Sequence, residues 1–94
     1  MESYIGSILQ FGFNYPTDGW VVCHGQVMAI YPNEDLFSLL GNAFGGDGQT
    51  TFALPNLRRR KSDGSYYSQG EQLPDGTPYI ESYICIKGVY PSRD

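Results

Sequence analysis

Gly45-Gly46-Asp47-Gly48 is the stretch of this chain whose composition comes nearest to a ligand loop. Glycine-rich loops cradle phosphate when a helix and a Lys-Ser/Thr pair follow, or when the glycines keep dinucleotide-binding spacing. Neither condition holds, because a β-type segment, Thr50 to Leu54, comes next. The spaced carboxylates of a calcium loop are missing as well. The loop therefore reads as a tight turn with positive φ angles at its glycines. His24 is the chain's single histidine, and its neighbour Cys23 would point to the opposite face of a strand. That arrangement excludes a nucleophile–base pair, and Cys23, His24 and Cys85 lack the paired spacing of zinc ligands. His24 reads as a turn residue, and the two cysteines as small hydrophobes. Acidic pairs such as Asp63 with Glu71 or Asp75 sit in a polar stretch with no element to fix their separation. No serine nucleophile elbow is present. The residues thus assign no catalytic, cofactor or metal site, and the expectation is a protein that is not an enzyme.

Two clusters remain as a candidate interaction surface. Arg58, Arg59, Arg60 and Lys61 are four of the six basic residues, in a chain of net charge −4. An acidic body argues against a nucleic-acid binder, which needs a broad basic face. The run reads either as a solvated loop or as a patch for an acidic neighbouring subunit. Beyond it, Tyr66, Tyr67, Gln69 and Gln72 lie among glycines, a composition suited to contacting sugar or protein and equally to an ordinary connection.

The elements around these clusters are short. Tyr4 to Phe13 alternates, with Ile5, Ser7, Leu9 and Phe11 expected on one strand face. Asn14 to Gly19 reads as a turn around Pro16. Trp20 to Cys23 and Gln26 to Ile30 are expected to form a hairpin across His24-Gly25. Asn33 is placed as a helix N-cap, with Glu34 and Asp35 at the positive end of the helix. Leu36, Phe37, Leu39 and Leu40 predict two turns buried nearly all round, and Gly41 closes them in the left-handed region. Thr50 to Leu54 is a strand ended by Pro55. Residues 58–78 read as a long polar loop. Tyr79 to Gly88 is the clearest strand, with Ile80, Ile84 and Ile86 on one side and Glu81, Tyr83, Cys85 and Lys87 on the other. The class is mainly β with one short helix, and residues 1–94 are expected to form one domain.

A chain of 94 residues buries a limited share of its surface, so association is a common route to stability. Eight tyrosines suit both an interface and a β-rich fold. No segment reaches the roughly 18 apolar residues of a membrane span. The N-terminus carries Glu2 where a signal peptide carries positive charge, so the expectation is a cytoplasmic origin. Two cysteines are too few for a disulfide scaffold.

The order and spacing of several motifs resemble the phage tail collar domain family, which includes tail-fibre and microcystin-dependent proteins. The matching residues are Trp20, Cys23 and Gly25, then Ile30, then Leu36 to Gly41, then Phe44 to Arg58 with Gly45, Gly46, Asp47, Gly48 and Pro55. Ile86 to Arg93 resembles the family's closing segment. Two departures stand out: Arg59 replaces a family glycine, and about twenty polar residues replace a long insert. The metal-binding histidines of some tail fibres have no counterpart. The resemblance implies a virion component at the distal tail, baseplate or fibre, in trimeric or other symmetric assembly, together with other tail or baseplate proteins. No cofactor is implied. Three readings stay open: a structural tail module that supports host attachment, a module whose Tyr66–Gln72 loop grips a host glycan or protein receptor, and a part of a bacterial contractile injection system.

Overall fold

The computed structural model describes residues 3–13 and 17–92. Pro16, expected to break the first turn, and Arg93, at the end of the closing motif, lie outside them. The fold is mainly β with one short helix. Five strands are β1 (Ile8–Gln10), β2 (Trp20–Val22), β3 (Val27–Ala29), β4 (Thr51–Ala53) and β5 (Ser82–Cys85), and helix α1 spans Glu34–Leu40 between β3 and β4. They form two antiparallel sheets, one in the order β1-β5-β2 and one pairing β3 with β4.

β5 holds the centre because both of its faces are covered. Ile84 is fully buried and joins Ile5, Cys23, Leu36, Phe52 and Leu54 in the core. On the other face Tyr83 stacks on Phe11 at 5.0 Å between centroids, and Phe11 also meets Phe13 and the edge of Trp20. The strand expected over Tyr79 to Gly88 is confined to Ser82–Cys85, and within it Tyr83 and Cys85 are buried along with Ile84.

Three further expectations are corrected. β2 and β3 do not form a hairpin: Val21 pairs with Ile84, while Met28 pairs with Phe52. The chain between them bends at Gly25, whose φ is 77°. The Gln26 side chain braces the bend, accepting from the His24 amide and donating to the Val22 carbonyl. The first segment is not one continuous strand face either. Gly6, at φ 90°, turns the chain after Tyr4 pairs with Val89, so Ile5 enters the core while Leu9 is half exposed. Helix α1 is not buried all round: Leu36 is buried, Phe37 and Leu40 pack on the core, and Leu39 is exposed.

The ends of α1 lie where expected, but their chemistry differs at the start. Asn33 occupies the N-cap without a side-chain capping bond, since its amide donates to the Ala29 carbonyl instead. At the far end Gly41, at φ 60°, donates its amide to the Phe37 carbonyl at 2.7 Å.

Gly45, Gly46 and Gly48 all adopt positive φ, as the turn reading requires. Asp47 organises the loop. Its Oδ1 accepts the amides of Gln49, Thr50 and Thr51, and its Oδ2 accepts the Thr50 hydroxyl. The Thr51 amide, first among these donors, holds the carboxyl well below the ordinary aspartate value of 3.8. A depressed folded-state pKa contributes stability above the unfolded value and loses it as pH falls. The melting temperature should therefore decline on acidification below the aspartate range. Asp47→Asn should flatten that slope between about pH 4 and pH 2, as read by thermal unfolding across pH.

Cys23 and Cys85 are free thiols in the core. Burial, aided by the Glu81 charge, pushes Cys23 up to about 11. Iodoacetamide at neutral pH should leave both cysteines unlabelled in the folded chain and alkylate both in denaturant, as read by intact mass.

Candidate interaction surface

Residues 58–78 contain no named strand, yet they are organised as two tight reversals. Arg60 bridges Tyr66, and Gln72 bridges Pro78. Each reversal repeats one device. Asp63 accepts the Ser65 amide and hydroxyl around Gly64, and Asp75 accepts the Thr77 amide and hydroxyl around Gly76. Both glycines have φ 92°, and the accepted hydrogen bonds lower both aspartates. Such Asx turns rigidify a polar stretch without an apolar core.

The basic run is brought against the tyrosines. The Arg58 guanidinium carbon lies 3.8 Å from the centre of the Tyr66 ring, and that of Arg60 lies 4.7 Å from it. Arg58 Nε donates to Asn56 Oδ1, and its Nη2 donates to the His24 carbonyl. Arg60 donates to the Gly64 carbonyl and to the Tyr66 hydroxyl. Cation–π contact and fixed donors hold both guanidinium planes in place. Lys61 forms an ion pair with Glu71, which raises the lysine and lowers the glutamate. Its ammonium also lies over Tyr67, which stacks on Tyr79 at 6.2 Å. Among the described residues no carboxylate forms an ion pair with Arg58, Arg59 or Arg60.

Gln69 is pinned rather than presented. Its Nε2 donates to the Phe11 carbonyl at 2.8 Å, and its Oε1 accepts the Glu81 amide at 2.6 Å. Gln72 is exposed at the base of the second reversal. Trp20, Cys23, Gly25, Gly41, Gly45, Gly46, Asp47, Gly48 and Pro55 belong to the frame: Trp20 and Cys23 flank the central sheet, and the Pro55 carbonyl accepts the Gly25 amide.

A polar chain not foreseen from sequence ties this loop to the sheet. The Tyr79 hydroxyl donates to Glu81 Oε1 at 2.8 Å, and Glu81 Oε2 meets His24 Nε2 at 2.8 Å. Burial and the Glu81 hydrogen bond push Tyr79 up to about 12. His24 is thus more than a turn residue. Glu81 stands beside Ile80 in a strongly apolar segment, and a lone carboxylate there signals a partner across the fold. No group of three potential metal ligands occurs among the described residues. The whole arrangement can hold shape and present fixed positive charge beside aromatic rings.

The described residues form two small sheets and a rigid basic-aromatic loop, and none of their helices is long and apolar enough to cross a membrane. Residues 6–61 match the phage tail collar domain, more than half of the 94-residue chain, and the protein is a member of that family. No curated protein and no solved structure matches it. Membership associates the chain with the structural proteins of phage tails.

Proposed function

We propose that the protein is a structural component of a phage tail, at the distal tail, baseplate or fibre. In this reading residues 1–94 form one collar-like domain that assembles with copies of itself and with other tail proteins in the virion, and so supports host attachment. The collar match over residues 6–61 carries the reading. The exposure of the aromatic side chains Tyr4, Tyr31 and Phe44 supports assembly, because aromatic residues are enriched at protein interfaces. Mass spectrometry of purified virions tests it: the chain should be present in fixed proportion to other tail proteins, and its absence would overturn the reading.

A second reading makes the Tyr66–Gln72 loop a receptor grip for a host glycan. The aromatic rings beside Arg58 and Lys61 favour it. The engagement of Tyr66 by two guanidiniums and of Tyr67 by Tyr79 favours the structural reading instead. Phage carrying Tyr66→Ala with Tyr67→Ala should adsorb at the normal rate under the structural reading and lose adsorption under the receptor reading. Gene neighbourhood separates a phage from a contractile injection system.

A further inference from the structure

Two clusters of opposite charge stand beside apolar features, while Asp18 and Lys87, both exposed, likewise form no ion pair among the described residues. Among the described carboxylates, Asp47, Asp63, Glu71, Asp75 and Glu81 all hold partners. Glu34 and Asp35, adjacent in the first turn of α1 and both exposed, hold no side-chain hydrogen bond or ion pair. Beside them opens a groove of about 520 Å3, floored by Ile5, Pro32, Leu36 and Ile86. Asp35 and Lys87 also line it. Concavities of roughly 300–1,000 Å3 enclose whole ligands, so this one accepts several side-chain atoms.

The complementary patch is the start of the basic run. Leu57 is 43% exposed, although its amide is fixed to the Cys23 carbonyl. Arg58, Arg59 and Arg60 follow it, with Arg58 and Arg60 immobilised on Tyr66 through neutral acceptors that leave their charge uncompensated. A guanidinium already held in place loses little freedom on meeting a carboxylate. The patch therefore consists of an apolar knob followed by three cations, of which Arg58 and Arg60 are fixed. The groove is lined by Asp35 and Lys87, with Glu34 adjacent to Asp35 in the chain, so that two carboxylates and one ammonium stand at it. No ion pair joins the two within the chain among the described residues.

We propose that the Leu57–Arg60 segment of one copy docks into the Ile5–Pro32–Leu36–Ile86 groove of a second copy, with Arg59 and Arg60 meeting Glu34 and Asp35. Lys87 sets the orientation, since it repels the incoming run from its own part of the rim. The two patches share no residue, so the contact is head-to-tail and builds a ring where its rotation closes. This rests on the assembly reading above and names the self-contact behind it.

The purified full-length chain tests this without virions, by light scattering coupled to size exclusion. Self-association is expected, weakening at least about tenfold when salt rises from about 50 mM to about 500 mM, because screening acts on exposed pairs. Glu34→Lys with Asp35→Lys should give a monomer, as should Arg59→Glu with Arg60→Glu, each with its unfolding midpoint near that of the parent. Mixing the two variants should restore association, because each then offers the other's complement. Leu57→Ser should weaken association while the salt slope stays. A parent chain that is monomeric at its highest soluble concentration, a salt-independent oligomer, or reversed variants that do not recover on mixing would overturn the proposal. Should the reversed variants misfold, Glu34→Gln with Asp35→Asn must still weaken association. Presence in virions with a monomeric purified chain would overturn this contact alone, whereas absence from virions bears on the assembly reading.

Discussion

Replacing Gly46 by alanine should cost this domain on the order of 2–5 kcal/mol, a large share of its stability. Two effects combine. Gly46 sits at φ 87°, where an L side chain costs roughly 1–2 kcal/mol. A Cβ there would also meet backbone, lying 2.7 Å from the Phe52 nitrogen and 2.8 Å from the Thr51 oxygen, with the Phe52 Cα closer still. Backbone in a strand cannot rotate away, so the clash adds roughly 1–3 kcal/mol of overpacking. For a domain of this size each kcal/mol is worth roughly 4–8 °C in melting temperature, so a drop of roughly 8–40 °C is expected by calorimetry. Two controls separate the causes. Gly64, at φ 92° with nothing within 4 Å of an added Cβ, should pay the backbone term alone on substitution by alanine. Gly12, with open space and no positive φ, should pay close to nothing. Equal midpoints for Gly46→Ala and Gly64→Ala would show that the Phe52 approach is not tight.

That glycine also shows which parts of the fold are legible in the sequence. Features set by neighbours along the chain read correctly: the positive-φ loop at Gly45 to Gly48, the helix ends near Asn33 and Gly41, and the strand around Ile84. Partnerships settled by distant residues did not. Trp20–Val22 and Val27–Ala29 look like a hairpin because a turn joins them, yet the open edges of β5 and β4 claim one strand each. The Gly6 bend is invisible to a periodicity count, since it exchanges an inward Ile5 for an outward Leu9 without disturbing the alternation.

The candidate surface divides the same way. Its composition marked Arg58 to Lys61 and Tyr66 to Gln72, and the paired Asp-Gly-Ser/Thr stretches at 63–65 and 75–77 carry a readable turn signal. The pinning of Gln69 to Phe11 and Glu81 spans 58 and 12 residues, and local pattern holds no trace of it. Sequence thus located the loop but could not show that Arg58 and Arg60 are held by neutral acceptors and the Tyr66 ring.

Phe52→Ala is the other substitution with a large expected effect, at about 3–5 kcal/mol for an aromatic ring removed from a well-packed core. Phe52 is fully buried, pairs with Met28 across β3 and β4, and faces Phe37 of α1 with ring centroids 5.5 Å apart. The ring therefore joins the small sheet to the helix, and its loss should be felt unevenly. Hydrogen exchange of the Phe37 to Gly41 amides should accelerate more than that of β5, whose core place is shared with Ile5, Cys23 and Leu36. A cycle of Phe37→Ala, Phe52→Ala and the double variant should return a coupling of about 0.5–1.5 kcal/mol, and additive losses would remove the ring contact from the account. The effect then reaches the surface, because α1 carries Glu34 and Asp35 and Leu36 floors the groove beside them. Phe52→Leu keeps an apolar side chain in the site and should lose less stability. If the groove is a socket, its self-association should follow the protection of α1 rather than the global midpoint. Association that survives in Phe52→Ala with a frayed helix would mean that the contact lies elsewhere on the domain.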